Sequence, residues 1–404
     1  MAALRTLDDL GDVTRKVALV RVDFNVPLSG SEVGDDTRLR ASLPTVKALI
    51  RRGAVVLLLS HLGRPKGETR PEYSLSTLVP AYSALLGQEV QFLADWTTQS
   101  AKSVVSELRP GDVVILENTR FYPGEEANDV ALASSMADLA DIYINDAFSA
   151  AHRAHASTVG VARLLPHYAG RALQAELESL QEALGKSRQP VSAMIGGAKI
   201  STKIDVLERL VTKVDNLIIG GGMANTFLAA QDVAIGNSLA EHNLKGAALR
   251  ILDAAKRENC RVYLPTDVVV AKALVPNPSS CRTAHVDDVA PDEMILDLGP
   301  ATVATFTNVL EVSRSLIWNG PLGAFETPPF DHATVAVSGA VARLTRTGSL
   351  ISLAGGGDTV AALNQIGITS DFTFVSTGGG AFLEWVSGKQ LPGIEALLSE
   401  QPIR

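Results

Sequence analysis

VSAMIGGAKISTK, residues 191–203, is the stretch that decides how this chain folds. Val191–Ile195 reads as a strand, Gly196-Gly197 as a tight turn, and a helical pattern, Ser201–Val214, follows. Strand, glycine turn and helix form the unit of a parallel sheet, because parallel neighbours need a crossover that a helix usually supplies. The same succession recurs in both directions from it. Further strand candidates are Val17–Val26, Ala54–Ser60, Asp112–Glu117, Asp141–Asn145, Leu217–Ile219, Arg261–Pro265, Met294–Asp297, Leu316–Trp318, Leu350–Ala354 and Phe372–Val375. Most are near-continuous apolar runs, as in strands buried on both faces. Helical spacing lies between them, as at Leu43, Val46, Leu49 and Ile50, with Ser42 as the expected N-cap and Gly53 past the end. The predicted fold class is α/β: two doubly wound parallel-sheet, Rossmann-like domains joined by an interdomain helix.

The length, 404 residues, exceeds one ordinary core and suits two domains. Ala172–Gly185 is a helical pattern rich in Glu, Gln and Leu, and the polar Lys-Ser-Arg-Gln-Pro break follows it. A helix leading into a proline turn is a natural connector. The expected divisions are therefore residues 1–170, a hinge at 171–186, residues 187–388 and a tail, 389–404. An apolar fraction of 46% and a charged fraction of 20% are those of a globular protein. No apolar run approaches the roughly 18 residues that span a bilayer, and the N-terminus has no secretory h-region. Two cysteines, Cys260 and Cys281, make neither a disulfide framework nor a zinc site, which fits a reducing cytoplasm. A net charge of −8 argues against nucleic acid as partner and leaves room for a locally basic cleft.

In the first half, five segments place polar residues at or near strand ends: Arg21 to Asn25 with Asp23, Thr37-Arg38, His61 to Arg64 and Pro65, Glu117 to Arg120, and His152-Arg153. Arginine forks bind phosphate and carboxylate oxygens bidentately, so their recurrence suits a small polyanion. Arg21 lies within a strand pattern and reads as structural. His155 reads as an ordinary hydrogen-bonded histidine. In the second half the strand ends carry glycine clusters, Gly196-Gly197, Gly220–Gly222, Gly355–Gly357 and Gly378–Gly380. No P-loop is present, since Gly185-Lys186-Ser187 has Leu180 where the first glycine belongs, and no cluster completes the dinucleotide fingerprint. Gly196 to Lys199 opens a helical pattern, and helix N-termini attract phosphate. Lys199 and Lys203 are four apart and are expected on one helical face. Gly355 to Thr359 repeats the arrangement, with Asp358 a candidate Mg²⁺ ligand and Glu326 a candidate for ribose hydroxyls.

These residues stand in strings that resemble phosphoglycerate kinases through nearly the whole chain. The strings are RVDFNVP (21–27), SHLGRP (60–65), LENTRF (116–121), NDAFSAAHRAHAS (145–157), GGAKISTK (196–203), GGGMANTF (220–227), WNGPLGAFE (318–326), GGGDT (355–359) and STGGGAFLE (376–384). The resemblance implies reversible phosphoryl transfer between ATP and the carboxylate of 3-phosphoglycerate, giving 1,3-bisphosphoglycerate and ADP, within glycolysis and gluconeogenesis. It implies an N-terminal domain for the triose and a C-terminal domain for Mg-ATP or Mg-ADP, in a cytoplasmic monomer. Carried over residue by residue, the triose ligands are Asp23, Asn25, Arg38, His61, Arg64, Arg120 and Arg153. The nucleotide contacts are Gly197, Lys203, Gly221, Asn319, Glu326, Gly356, Gly357, Asp358 and Thr359, with Asp358 on Mg²⁺. Arg38 and Lys199 are implied as transition-state stabilisers, and the tail is implied to fold back on the N-terminal domain. Ser149-Ala150, Ala224 and Ser201-Thr202 depart from the usual strings and touch no charged ligand position.

A carboxylate acceptor is already ionised at pH 7 and needs no general base. The reaction instead requires charge neutralisation and alignment. Two rival readings keep the fold: a nicotinamide oxidoreductase, which the missing fingerprint disfavours, and a metabolite-binding protein without chemistry. The latter is expected to lack Arg38, Lys199 or Asp358, and all three are present.

Overall fold

The structure, a computed structural model, describes residues 4–30, 32–184, 189–376 and 378–400. Two compact units divide the chain. One runs to Leu177 and includes the segment from Gln390, and the other spans Glu178–Lys389. The division falls within the helix Arg171–Leu184. Gly185, Lys186 and Ser187, and with them the end of the expected hinge, lie outside the described residues, as do Thr377 and residues 401–404.

The first unit is built on a six-stranded parallel sheet. Across it the order is Gln91–Leu93, Val113–Leu116, Val55–Leu59, Val17–Arg21, Ile142–Asn145 and His167–Ala169. Val55–Leu59 and Val113–Leu116 are buried at every position, which is why they read as unbroken apolar runs. The strand expected to reach Val26 ends at Arg21. Beyond it the Asp23 carboxylate accepts the Asn25 N–H (3.0 Å) and Ser60 Oγ accepts the Phe24 N–H (2.8 Å), so side chains take over the ladder's donors and the chain turns. The helix expected to start after Ser42 starts at Thr37 and carries Pro44 inside. Ser followed by Pro two residues later imitates a helix start. Complete burial of Leu39 rewards the extra turn, and Ser42 Oγ donates to the Leu39 carbonyl at 2.8 Å instead of capping.

In the second unit the six parallel strands lie in the order Arg261–Tyr263, Asn216–Ile219, Val191–Ile195, Ser315–Asn319, Ile351–Gly355 and Phe374–Ser376. The chain direction across the sheet reverses between Val191–Ile195 and Ser315–Asn319, and such a switch point opens a crevice at the strands' carboxyl ends. In the first unit the reversal falls between Val17–Arg21 and Ile142–Asn145. Met294–Leu298, expected among the parallel strands, instead pairs antiparallel with Asp267–Ala271, which also pairs with Arg282–His285. This small sheet has its own apolar cluster around Ile235, Val268, Val270 and Val286. Trp318, fully buried in the main core, donates its indole N–H to the Gly320 carbonyl at 2.8 Å. A core anchor thus fixes a loop at the switch point.

Candidate active site

At the switch point of the first unit four of the predicted residues, Asp23, Asn25, Arg38 and Arg120, form one connected set. Arg38, in the first turn of the Thr37–Arg51 helix, donates to the Asn25 carbonyl (2.8 Å) and pairs with Asp23 Oδ2 (3.0 Å). Asn25 Oδ1 accepts the Gly63 N–H at 2.8 Å, and the Gly63 carbonyl accepts from Arg120 Nη1 at 2.8 Å. Gly63 has φ +64°, and a Cβ there would sit 2.4 Å from the Tyr73 ring, so no other residue fits this bend. Asn118, fully buried, ties two loops together by donating to the Leu62 and Tyr73 carbonyls (2.8 and 2.9 Å) while its Oδ1 accepts the Arg120 N–H. Arg120 also pairs with Glu126 at 3.3 Å, and burial lowers its pKa. Arg64 and Arg153 are exposed and have no ion pair or side-chain hydrogen bond among the described residues.

Arg21 is buried and structural, as its strand position suggested: Nε donates to Ser157 Oγ (2.9 Å), Nη1 to the Val22 carbonyl, and Nη2 to His61 Nδ1 (3.0 Å). Burial and the Arg21 charge hold the His61 pKa well below the ordinary histidine value, so the ring is neutral. His155 is pushed down to about 4, mainly by burial, and lies 3.8 Å from Glu125. Glu125, completely buried, is the residue in this cluster that the sequence analysis missed.

At the second unit's switch point the strand ends meet backbone to backbone. Gly196 N–H donates to the Asn319 carbonyl (2.9 Å) and Gly197 N–H to the Pro321 carbonyl (3.0 Å). Asn319 Nδ2 donates to the Gly355 carbonyl (2.6 Å), and Thr359 Oγ accepts the Gly320 N–H (2.6 Å). Gly320 (φ +98°) would place a Cβ 2.3 Å from the Gly196 carbonyl and 3.0 Å from Lys203 Nζ. Lys199 and Lys203 do not share a helical face. A 3-10 turn, Ile200–Thr202, separates them and the α-helix starts at Ile204, so Lys199 stays exposed while Lys203 turns inward. Lys203 Nζ donates to the Gly196 (2.7 Å) and Asn319 (3.3 Å) carbonyls, and burial lowers its pKa to about 8.

Two adjoining clefts share Asp358. One, about 480 Å³, is walled by Leu239, Met294, Leu296, Pro321 and Phe325, with Gly197, Gly221 and Glu326 on its lining. The other, about 230 Å³, is lined by Lys203, Asn319, Gly356, Gly357 and Thr359. The larger suits a flat apolar group and the smaller, with the N-terminus of the Gly357–Ile366 helix, suits a phosphate chain. Leu239, Met294 and Leu296 were not anticipated, because an apolar wall residue looks like any core residue in a sequence.

The family model for phosphoglycerate kinase matches residues 7–389. The chain belongs to the phosphoglycerate kinase family. It is therefore a kinase, an enzyme of ATP-dependent phosphoryl transfer to 3-phosphoglycerate in glycolysis. Phosphoglycerate kinases from Rhizorhabdus wittichii and Zymomonas mobilis are 62% and 60% identical to it, each over 98% of this chain and 99% of the relative. The solved phosphoglycerate kinase of Coxiella burnetii superposes with a TM-score of 0.88 at 40% identity, covering 98% of this chain and 99% of that one. The Pyrococcus horikoshii enzyme superposes with a TM-score of 0.80 at 30% identity, covering 98% of both chains.

Proposed function

We propose that the chain binds 3-phosphoglycerate or 1,3-bisphosphoglycerate at the first unit's switch point and ATP or ADP at the second's, and transfers the phosphoryl group directly and in line between them. The observation that carries this is the split of the cations: Arg64 and Arg153 in one unit, and Lys199 in the other, are exposed and make no side-chain hydrogen bond or ion pair among the described residues, Lys199 feeling only the longer-range charge of Glu241. Unpaired cations at strand ends are sites waiting for anionic oxygens. Asp23, Asn25, Arg38, His61, Arg64, Arg120 and Arg153 hold the triose. The apolar cleft takes the base, Glu326 the ribose, and Gly197, Gly221, Lys203, Asn319 and Gly356–Thr359 the phosphates.

Asp358 is exposed, has no hydrogen bond or ion pair among the described residues, and opens the glycine-rich helix beside the phosphate cleft. A lone carboxylate beside a phosphate cleft fits Mg²⁺, which takes one or two carboxylates and completes its shell with phosphate oxygens and water. Bound there, Mg²⁺ would neutralise charge on the nucleotide phosphates.

The chain's own part is alignment and neutralisation. A carboxylate approaching a phosphate is repelled unless cations lie between, and Arg38 and Lys199 supply them. Arg38 is pre-oriented by Asp23 and the Asn25 carbonyl, so little rotamer freedom is lost when it engages. Transfer also requires the two bound ligands to meet, which calls for closure of the units during the cycle; unchanged small-angle scattering with both ligands bound would contradict it. No helix among the described residues is long and apolar enough to cross a membrane. Cys260 and Cys281 are free thiols, which suits a cytoplasmic enzyme, and we infer a monomer that binds no nucleic acid.

The test is 3-phosphoglycerate-dependent ATP consumption with Mg²⁺, the acyl-phosphate product being coupled to NADH oxidation. Activity is expected to vanish without the triose and to collapse in Lys199→Ala. A folded chain that binds both ligands yet turns over neither would overturn the reading.

A further inference from the structure

Arg21 and Glu125 are two charges sealed in the first unit that the phosphoryl transfer above does not use, and a single hydroxyl joins them. Ser157 Oγ donates to Glu125 Oε1 at 2.5 Å, the Ser157 N–H donates to Oε2 at 3.0 Å, and Thr119 Oγ1 donates to Oε1 at 3.3 Å. A hydroxyl has one proton. With that proton committed to Glu125, Ser157 Oγ is left as an acceptor, and it takes the Arg21 Nε proton at 2.9 Å. The guanidinium plane is thereby fixed, with Nη1 on the Val22 carbonyl and Nη2 on His61 Nδ1. Arginine has no acceptor. His61 Nδ1 must then offer its lone pair, and the proton of the neutral ring resides on Nε2, which makes no hydrogen bond among the described residues.

The hydroxyl spacer is informative. A buried arginine is most simply neutralised by a direct two-pronged carboxylate contact, which takes at least one outer nitrogen of the fork, as Arg40 does with Asp36 through Nε and Nη2. Here the carboxylate acts through Ser157 on Nε, and Nη2 remains available for the histidine. Tyr143 completes the clamp by donating its hydroxyl to the Ser157 carbonyl at 2.8 Å.

We propose that Glu125, Ser157 and Arg21 form a buried relay of positioning residues that fixes the tautomer of His61 and presents its Nε2–H to an oxygen of the triose ligand. The proposal rests on the reading of His61 as a triose ligand. The ring's depressed pKa, caused by burial and Arg21, keeps it from becoming a second cation that would disrupt the Nδ1 contact.

Two-bond ¹H–¹⁵N spectra of the full chain, labelled at histidine and with His61 assigned by His61→Gln, read the tautomer directly. The unsubstituted protein is expected to show His61 protonated at Nε2 alone. Glu125→Gln and Ser157→Ala are each expected to give a mixture of tautomers. Each is also expected to raise KM for 3-phosphoglycerate about tenfold, the loss typical of one hydrogen bond to a charged group, with KM for ATP unchanged. A proton on Nδ1 in the unsubstituted protein overturns the proposal whether or not the variants fold. So does a lowered melting temperature in the variants with the His61 spectrum unaltered, which would make Glu125 merely structural. An altered tautomer with an unaltered triose KM would uphold the relay and remove His61 from the ligand set.

Discussion

Raising the pH from 7 to 9 is expected to weaken nucleotide binding about tenfold through Lys203 alone. Its ammonium is buried, is held by the Gly196 and Asn319 carbonyls, and has no carboxylate within ion-pair distance among the described residues. Burial is the main cause of its pKa falling to about 8, with the Asp358 charge opposing weakly. A polyphosphate in the adjoining cleft would supply the missing anion and return the pKa towards or above its ordinary value. The free site is then about nine-tenths protonated at pH 7, half at pH 8 and one-tenth at pH 9, and only the protonated fraction binds well. ADP suits the measurement, because a phosphate's second ionisation lies near 6 and is complete above pH 8. Titration calorimetry at pH 8 in two buffers of different ionisation enthalpy should show uptake of about half a proton per ADP bound. Lys203→Arg, whose guanidinium does not titrate here, should show neither uptake nor the pH slope. Affinity flat from pH 7 to 9 with no proton uptake would refute the argument. The same shift acts on folding with a definite sign. Between about 8 and 10.5 the unfolded chain holds the extra proton, so this group's contribution to stability rises with pH across that window.

Arg38→Ala should lower kcat by about 10³–10⁵. Its melting temperature should change little, because the Arg38–Asp23 pair is partly open to solvent and such pairs contribute about 1 kcal/mol or less. A loss of kcat under tenfold would remove Arg38 from the transition state. Asp146 caps the Arg171–Leu184 helix by accepting the Ala172 and Leu173 N–H groups, and burial raises its pKa to about 7. The folded state therefore holds the extra proton between about 4 and 7, and this group's contribution to stability falls as pH rises through that window, by at most roughly 4 kcal/mol. Asp146→Asn keeps an acceptor for the helix and should flatten that decline, so melting curves of both proteins that run parallel from pH 5 to 8 would contradict the assignment.

What the sequence made legible follows the physics of each signal. Strands buried on both faces, such as Val191–Ile195 and Val55–Leu59, show themselves because nothing polar is tolerated along them. Gln91–Leu93 and Arg261–Tyr263, at sheet edges, are half exposed and carry a mixed pattern; the first was missed and the second extended too far. The antiparallel sheet escaped for a related reason. Arg282–His285 buries one residue of four, and its conspicuous arginine makes an ion pair with Glu293 at 2.7 Å, so it reads as loop. Candidate site residues stood out in the sequence where a charge follows a strand-like run or a glycine turn, as with Arg38, Arg64 and Lys203. They were illegible where the working group lies a step behind the surface. Glu125 is five residues from Arg120 in the chain, yet its carboxylate meets Ser157, 32 residues on, and acts on a strand more than 100 residues upstream. Local pattern reports what a residue can do, whereas burial decides what it is left to do. Lys199 and Lys203 are the clearest instance: their spacing puts them on one helical face, and a three-residue 3-10 turn leaves one exposed and the other buried on two carbonyls with its pKa lowered to about 8.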